Sequence, residues 1–193
     1  MIKSIRIASV SAVLMMSGIL TACAGQDTSS KSDNPMVGGA PMYVERNIIE
    51  NAVNSKDHTT LVAAVKAAGL VDTLQGKGPF TVFAPVNSAF AALPAGTVET
   101  LLKPENKATL TKILTCHVVA ADAMSAAIKK MVADDGGMHT VSTVGGCKFT
   151  AMYDQGKIMI KDGKGGVARV TIADVKQSNG VIHVIDKVLL PAS

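Results

Sequence analysis

The apolar residues of this chain change their spacing partway along, and that change limits the folds it can take. Up to about residue 132 they recur at three- and four-residue intervals, the period of a helix face. Ile48, Ile49, Ala52 and Val53 share one such face over 47–53. Leu61, Val62, Val65 and Ala68 share another over 58–68, which Gly69 is placed to end. One β-like run interrupts them, FTVFA at 80–84, closed by Pro85. Asn87 then reads as the cap of a short helix over 88–93, stopped by Pro94. Residues 97–102 and 104–114 read as helical, 116–119 as a short strand, and Asp122 as the cap of a helix reaching Val132. From residue 139 the apolar positions alternate in short runs, at 139–144, 147–153, 157–161, 167–172 and 181–190. Turn residues separate them: Gly145-Gly146, Asp154-Gln155-Gly156, the Gly-rich stretch 162–166, and Asn179-Gly180. Helices first and a strand meander afterwards predict an α+β fold rather than alternating βαβ units. There is no internal repeat, so a single copy of one domain is expected.

Composition narrows the function classes. With 48% hydrophobic and 18% charged residues over 193 positions, the chain can bury a core and is not disordered over its bulk. The 17 glycines show no three-residue period and no apolar heptad is sustained, which excludes collagen-like and coiled-coil folds. Four Phe, two Tyr and no Trp leave few aromatic platforms for stacking nucleic-acid bases. The formal net charge of +4 includes Lys3 and Arg6. Without that N-terminal pair the chain is close to neutral and lacks the basic footprint of a DNA or RNA binder.

Residues 1–22 read as an export signal. Lys3 and Arg6 supply a positive start, and the uncharged stretch 7–20 is 14 residues long. That is short of the about 20 residues a membrane span needs. The sequence Leu20-Thr21-Ala22-Cys23 resembles the lipobox of bacterial lipoproteins. The resemblance implies cleavage before Cys23 and lipidation of its thiol. Membrane anchoring by two or more acyl chains follows, each buried CH2 adding about 0.8 kcal/mol. Ala24 at the next position implies the outer membrane, on its periplasmic or surface face. Ala22-Cys23-Ala24 also fits an A-x-A cleavage site, which leaves a soluble periplasmic or secreted protein as the alternative. Residues 23–42, with GQDTSSKSDNPMVGGAP at their centre, read as a flexible tether, and 43–191 as the folded domain.

Three blocks carry a family resemblance. FTVFAPVNSAF occupies 80–90, CHVV 116–119, and NGVIHVIDKVLLP 179–191. In this order and spacing they resemble the fasciclin (FAS1) domain family over roughly residues 43–191. The matching positions are Phe80, Thr81, Phe83, Ala84, Pro85, Asn87 and Phe90, then His117, then Asn179, Gly180, His183 and Asp186. Val86 stands where the family usually carries Thr, and Cys116 where it carries Tyr. The resemblance implies a wedge-shaped β-sandwich of about seven strands with α-helices packed against it. It also implies a secreted or surface-attached adhesion or matrix-binding module, with no enzymatic activity and no cofactor. Read from the residues alone, both long blocks build core. Thr81 and Phe83 face one way and Phe80 and Val82 the other; Ile182 and Val184 oppose Val181 and Ile185. His117 reads as a buried histidine that ties two elements together.

With Cys23 lipidated, Cys116 and Cys147 remain as an even pair in an oxidising compartment, and a disulfide between them is expected. Chain entropy makes it worth about 3–4 kcal/mol; two buried free thiols are the alternative. Motifs for redox, zinc-protease, hydrolase or P-loop chemistry are missing. Asp162-Gly163-Lys164-Gly165-Gly166 lacks the later carboxylates of a calcium loop and reads as a loose hairpin turn. His58, His117, His139 and His183 are scattered, so no metal site is expected, and Asp134-Asp135 reads as a solvated helix end. Two function classes remain. One is a lipid-anchored adhesion module facing an unknown surface protein or polysaccharide. The other is an envelope small-ligand binder, which would need an apolar cleft between helices and sheet.

Overall fold

A computed structural model describes residues 34–192. The expected signal over 1–22, the lipidation site Cys23 and the tether as far as residue 33 lie outside the described residues. The folded unit begins earlier than the expected residue 43. Met36–Val37 (β1) pairs antiparallel with Ala40–Pro41 (β2), and this hairpin buries Val37, Ala40 and Met42. Residues 34–42 therefore belong to the domain rather than to the tether. Three apolar side chains among the Gly and Pro suffice to pin them to the core.

Short helices follow. Ile48–Ala52 (α1) starts from Asn47, whose side chain accepts from the Glu50 N–H while the Glu50 carboxylate accepts from the Asn47 N–H. After a 3-10 turn at Lys56–His58 comes Thr59–Ala68 (α2), ended by Gly69 at φ 73°. Val71–Gln75 (α3), a single short turn, has no counterpart in the sequence reading. Phe80–Pro85 (β3) leads to Asn87–Ala91 (α4) and Thr97–Leu101 (α5). A second 3-10 turn at Pro104–Asn106 opens Lys107–Cys116 (α6). Val118–Val119 (β4) and Ser125–Asp134 (α7) come next. The meander is Met138–Ser142 (β5), Lys148–Asp154 (β6), Lys157–Lys161 (β7), Val167–Gln177 (β8) and Gly180–Ile185 (β9).

Four expectations need correction. Pro85 is the last residue of β3, where it pairs with Ile185, rather than the residue that stops it. Cys116 closes α6 and does not begin a strand; pairing starts at Val118. Asp122 does not cap α7, which begins after Met124 with no cap from its own segment. β9 ends at Ile185 instead of reaching Leu190, while β8 extends to Gln177.

Seven strands form one sheet in the order β4-β3-β9-β8-β7-β6-β5. β3 and β9 run parallel, in register from Phe80↔Gly180 to Pro85↔Ile185; the other pairs are antiparallel. β8 serves two neighbours: its start pairs with β7, while Val170 to Gln177 pair with β9 through register shifts between Val170 and Val175. Such bulges bend a strand sharply, so β8 carries the sheet around a corner. Each side has its own core. Val82, Ala84, Ile182 and Val184 pack with α1, α2 and α6; Phe83, Phe149, Ile160 and Ile185 pack with Ile128 and Val132 of α7. The central pair β3/β9 is buried on both faces, which explains why its strands are nearly continuous apolar runs.

Candidate interaction surface

The parallel β3/β9 pair brings the two long signature blocks side by side, and the polar residues at the matching positions are spent mainly on backbone. Thr81 is fully buried; its hydroxyl donates to the Ala121 carbonyl at 2.6 Å and accepts from the Ala123 N–H at 2.8 Å. His183 holds the same loop: Nε2 donates to the Ala123 carbonyl at 2.7 Å, and Nδ1 accepts from the Asp174 N–H at 3.3 Å. Its ring stacks on Phe83 with centroids 5.7 Å apart. Burial pushes the His183 pKa below its ordinary value. His117 ties two elements: Nδ1 donates to the Ile113 carbonyl at 2.8 Å, and Nε2 accepts from the Leu189 N–H at 2.9 Å. Burial lowers its pKa to about 4, so the ring is neutral and this tautomer fits both bonds.

Asn87 caps a helix, but not its own. Its carbonyl oxygen accepts from the Thr60 N–H at 3.0 Å and the Thr59 hydroxyl at 3.2 Å, and its amide donates to the Lys56 carbonyl at 2.8 Å. It thus fastens the start of α2, while Val86 stands at the N-terminal flank of α4. Asn179 clamps three segments: it accepts from the Ile48 N–H at 3.1 Å and donates to the carbonyls of Leu74 at 2.8 Å and Gly76 at 3.0 Å. Gly180 and Gly78 make the crossing possible. A Cβ on Gly180 would sit 1.9 Å from the Phe80 carbonyl oxygen, and one on Gly78 would sit 1.9 Å from that of Asn179. Asp186 accepts from the Arg169 N–H at 2.8 Å. Phe83, Ala84, Pro85 and Phe90 are buried, and Phe80 is partly so. Cys116 and Cys147 form a disulfide, with Cα atoms 5.4 Å apart.

Three further joints lay beyond sequence reasoning. Asp174 sits in the β8 bulge at φ 58°, and its carboxylate accepts from the Ser125 N–H at 2.7 Å and from the Ser125 hydroxyl, capping α7 from a distant strand. Asp162 accepts from the N–H groups of Lys164 and Gly166 and, at 3.1 Å, from that of Leu190. The 162–166 turn is therefore pinned to the C-terminal segment, not loose; an Asp opening a Gly-rich turn is the local signal for it. Buried Asn51 bonds both backbone groups of Tyr43 and donates to the Gln177 side chain.

What remains open to a partner lies at the surface. A groove of about 620 Å³ runs beside the Gly78/Asn179 crossing. The side chains of Gln75, Lys77, Asp122, Lys176 and Ser178 line it without a hydrogen bond or ion pair among the described residues. A further open cleft of about 460 Å³ lies between α7 and strands β6, β7 and β8, lined in part by Ser125, Lys129, Tyr153, Ile158 and Val170. By contrast, the apolar cavities between the sheet and α1, α2 and α6 measure about 20 and 30 Å³. That is room for a water molecule, not for an organic ligand.

The fasciclin domain model matches residues 56–191, most of the described unit. The chain belongs to the fasciclin domain family. It is 47% identical over 172 residues to "Protein sll1483" of Synechocystis sp., covering 88% of this chain and 86% of that one. It is 32% identical over 166 residues to "Cell surface glycolipoprotein MPB83" of Mycobacterium bovis, covering 83% and 68% of the two chains. The solved FAS1 domain pair from the insect cell adhesion molecule Fasciclin I matches with a TM-score of 0.68 at 18% identity, over 75% of this chain and 51% of that chain. The likeness there is one of fold. In this fasciclin domain the signature residues are assembly joints, and Cys116 is tied to Cys147.

Proposed function

We propose that this chain is an exported, lipid-anchored adhesion or interaction module of the cell envelope, without enzymatic activity. The lipobox-like Leu20-Thr21-Ala22-Cys23 motif supports the anchoring, and the name of the Mycobacterium bovis relative, a cell surface glycolipoprotein, is in keeping with it. One observation carries the reading. The polar side chains at the matching signature positions are consumed in internal joints, whereas Gln75, Lys77, Lys176 and Ser178 line the open groove with no hydrogen bond or ion pair among the described residues. Its mixed donors and acceptors suit a surface protein or a polysaccharide. The small cavities between the sheet and α1, α2 and α6 weigh against a carrier that buries an apolar ligand there.

The test titrates labelled protein, with Cys23→Ser to remove the lipid site, onto intact cells and onto separated envelope protein and polysaccharide fractions. Saturable binding to one fraction, weakened at least tenfold by Lys77→Glu with Lys176→Glu, is the expected result. Absence of saturable binding to every fraction would overturn the adhesion role. Anchoring has its own readout: a labelled fatty acid fed to the cells is incorporated into the protein, and Cys23→Ser abolishes the incorporation.

A further inference from the structure

The outward face of the meander carries an unusual row. β5, β6 and β7 are in register so that Met138 pairs with Met152, and Met152 with Met159. Strand alternation puts all three on the side away from the core. Their neighbours Phe149, Ala151, Ile158 and Ile160 point inward and are buried. Met138 is 61% exposed, and Met152 and Met159 are half-buried. Neither solvent nor strand propensity asks for Met here; solvated strand faces favour polar or β-branched residues. Nothing among the described residues packs over the row, and a cavity of about 170 Å³, lined in part by Asp154, Met159 and Arg169, opens beside it.

Methionine offers solvent one distinctive group, a soft, polarizable thioether on an unbranched chain with three rotatable bonds. Neighbouring strands lie about 4.8 Å apart, so the two outer side chains can lean toward Met152 and bring three sulfurs over one point. Soft thioether donors select Cu(I) over hard or borderline divalent ions. The surrounding charge acts the same way. Arg169 continues the row beyond Met159, and Lys157 and Lys161 flank Met159 on the same face, with Asp154 as the near acid. Three neutral sulfurs in a mildly cationic setting repel a dication more than a monocation. Among the described residues no group of three His, Cys, Asp or Glu could hold a metal, so this donor set is separate from any conventional site. We propose that Met138, Met152 and Met159 form a three-thioether site for a soft monovalent cation, Cu(I) or its analogue Ag(I).

The probe is Ag(I), which needs no reductant, titrated in chloride-free buffer into the Cys23→Ser protein carrying 13C-methyl methionine, with the Cys116–Cys147 disulfide intact. The methyl signals of Met138, Met152 and Met159 are expected to shift together and saturate at one equivalent. Those of Met36, Met42, Met124 and Met131 stay in place. Met152→Leu keeps the size of the side chain on a solvent-facing position, and it should weaken binding at least tenfold; Met36→Leu should not change it. Zn(II) at the same concentration leaves these seven signals unmoved. Equal shifts at every exposed Met, no saturation, a response to Zn(II), or unchanged affinity in Met152→Leu would each overturn the site. Because the readout is local, it stands or falls independently of the adhesion assay.

Discussion

His117 is held neutral by its surroundings, and this makes the protein acid-sensitive at a definable point. Its folded-state pKa of about 4 lies below the ordinary 6.5, so the unfolded chain binds the proton more readily. Stability from this residue is complete above pH 6.5, falls as pH drops from there toward 4, and is level below that. The difference corresponds to about 3 kcal/mol. His58 and His183 are lowered by burial as well and add in the same direction. Denaturant midpoints measured between pH 7 and 4 should therefore decline, and His117→Gln should flatten the slope; an unchanged slope would contradict the assignment. Gly180 sets a second residue-scale limit. With the Phe80 carbonyl 1.9 Å from any added Cβ, Gly180→Ala forces β3 and β9 apart. It should cost several kcal/mol or prevent folding, as read by thermal melting, whereas Ala at Gly39, which has open space, should still fold.

Two helix starts in this protein, those of α2 and α7, are secured across the fold rather than along the chain. Asn87 serves α2 and Asp174 serves α7. Each is a true capping contact, so Asn87→Ala and Asp174→Ala should each lower stability by about 1 kcal/mol. Hydrogen exchange should show the loss at the first turn of α2 or α7, and not at α4. This also marks where sequence reading stops. The strands were legible because their apolar runs and Gly- or Asn-rich turns are local signals, and α1 and α2 because their faces repeat. Asn87 looked like the cap of the next helix because capping rules consider neighbours in sequence. Asp174, 49 residues from Ser125, leaves no local trace. Cys116 read as strand because Cys-His-Val-Val is β-like in composition, yet packing of Leu110, Ile113 and Leu114 continues α6 through it. The hairpin at 36–41 was hidden by its Gly-Gly and Pro, which resemble linker composition.

At the scale of the whole molecule, the fold closes by joining distant parts. β3 and β9 are about a hundred residues apart and form its central pair. That long-range closure made the two signature blocks legible together as a family pattern, while the groove beside them combines residues from four separate stretches and could not be read from any one. The disulfide spans a separation of 31 residues, for which chain entropy gives about 4 kcal/mol. Replacing Cys116 and Cys147 together with Ser should lower the urea midpoint accordingly without changing the far-ultraviolet circular dichroism of the folded state. If reduction left the midpoint unmoved, the bridge would not be constraining the unfolded chain.

The same bridge has a mechanical meaning. When a force draws the two ends of the domain apart, the bridge decides which part of the chain can extend. The covalent path then runs from Cys116 straight to Cys147, and β4, α7 and β5 sit within the bypassed loop. At about 3.4 Å per extended residue, roughly 100 Å of contour is withheld from stretching. A pulling force can strip away the strands outside the loop, but the looped segment stays slack until the sulfur–sulfur bond itself is cut.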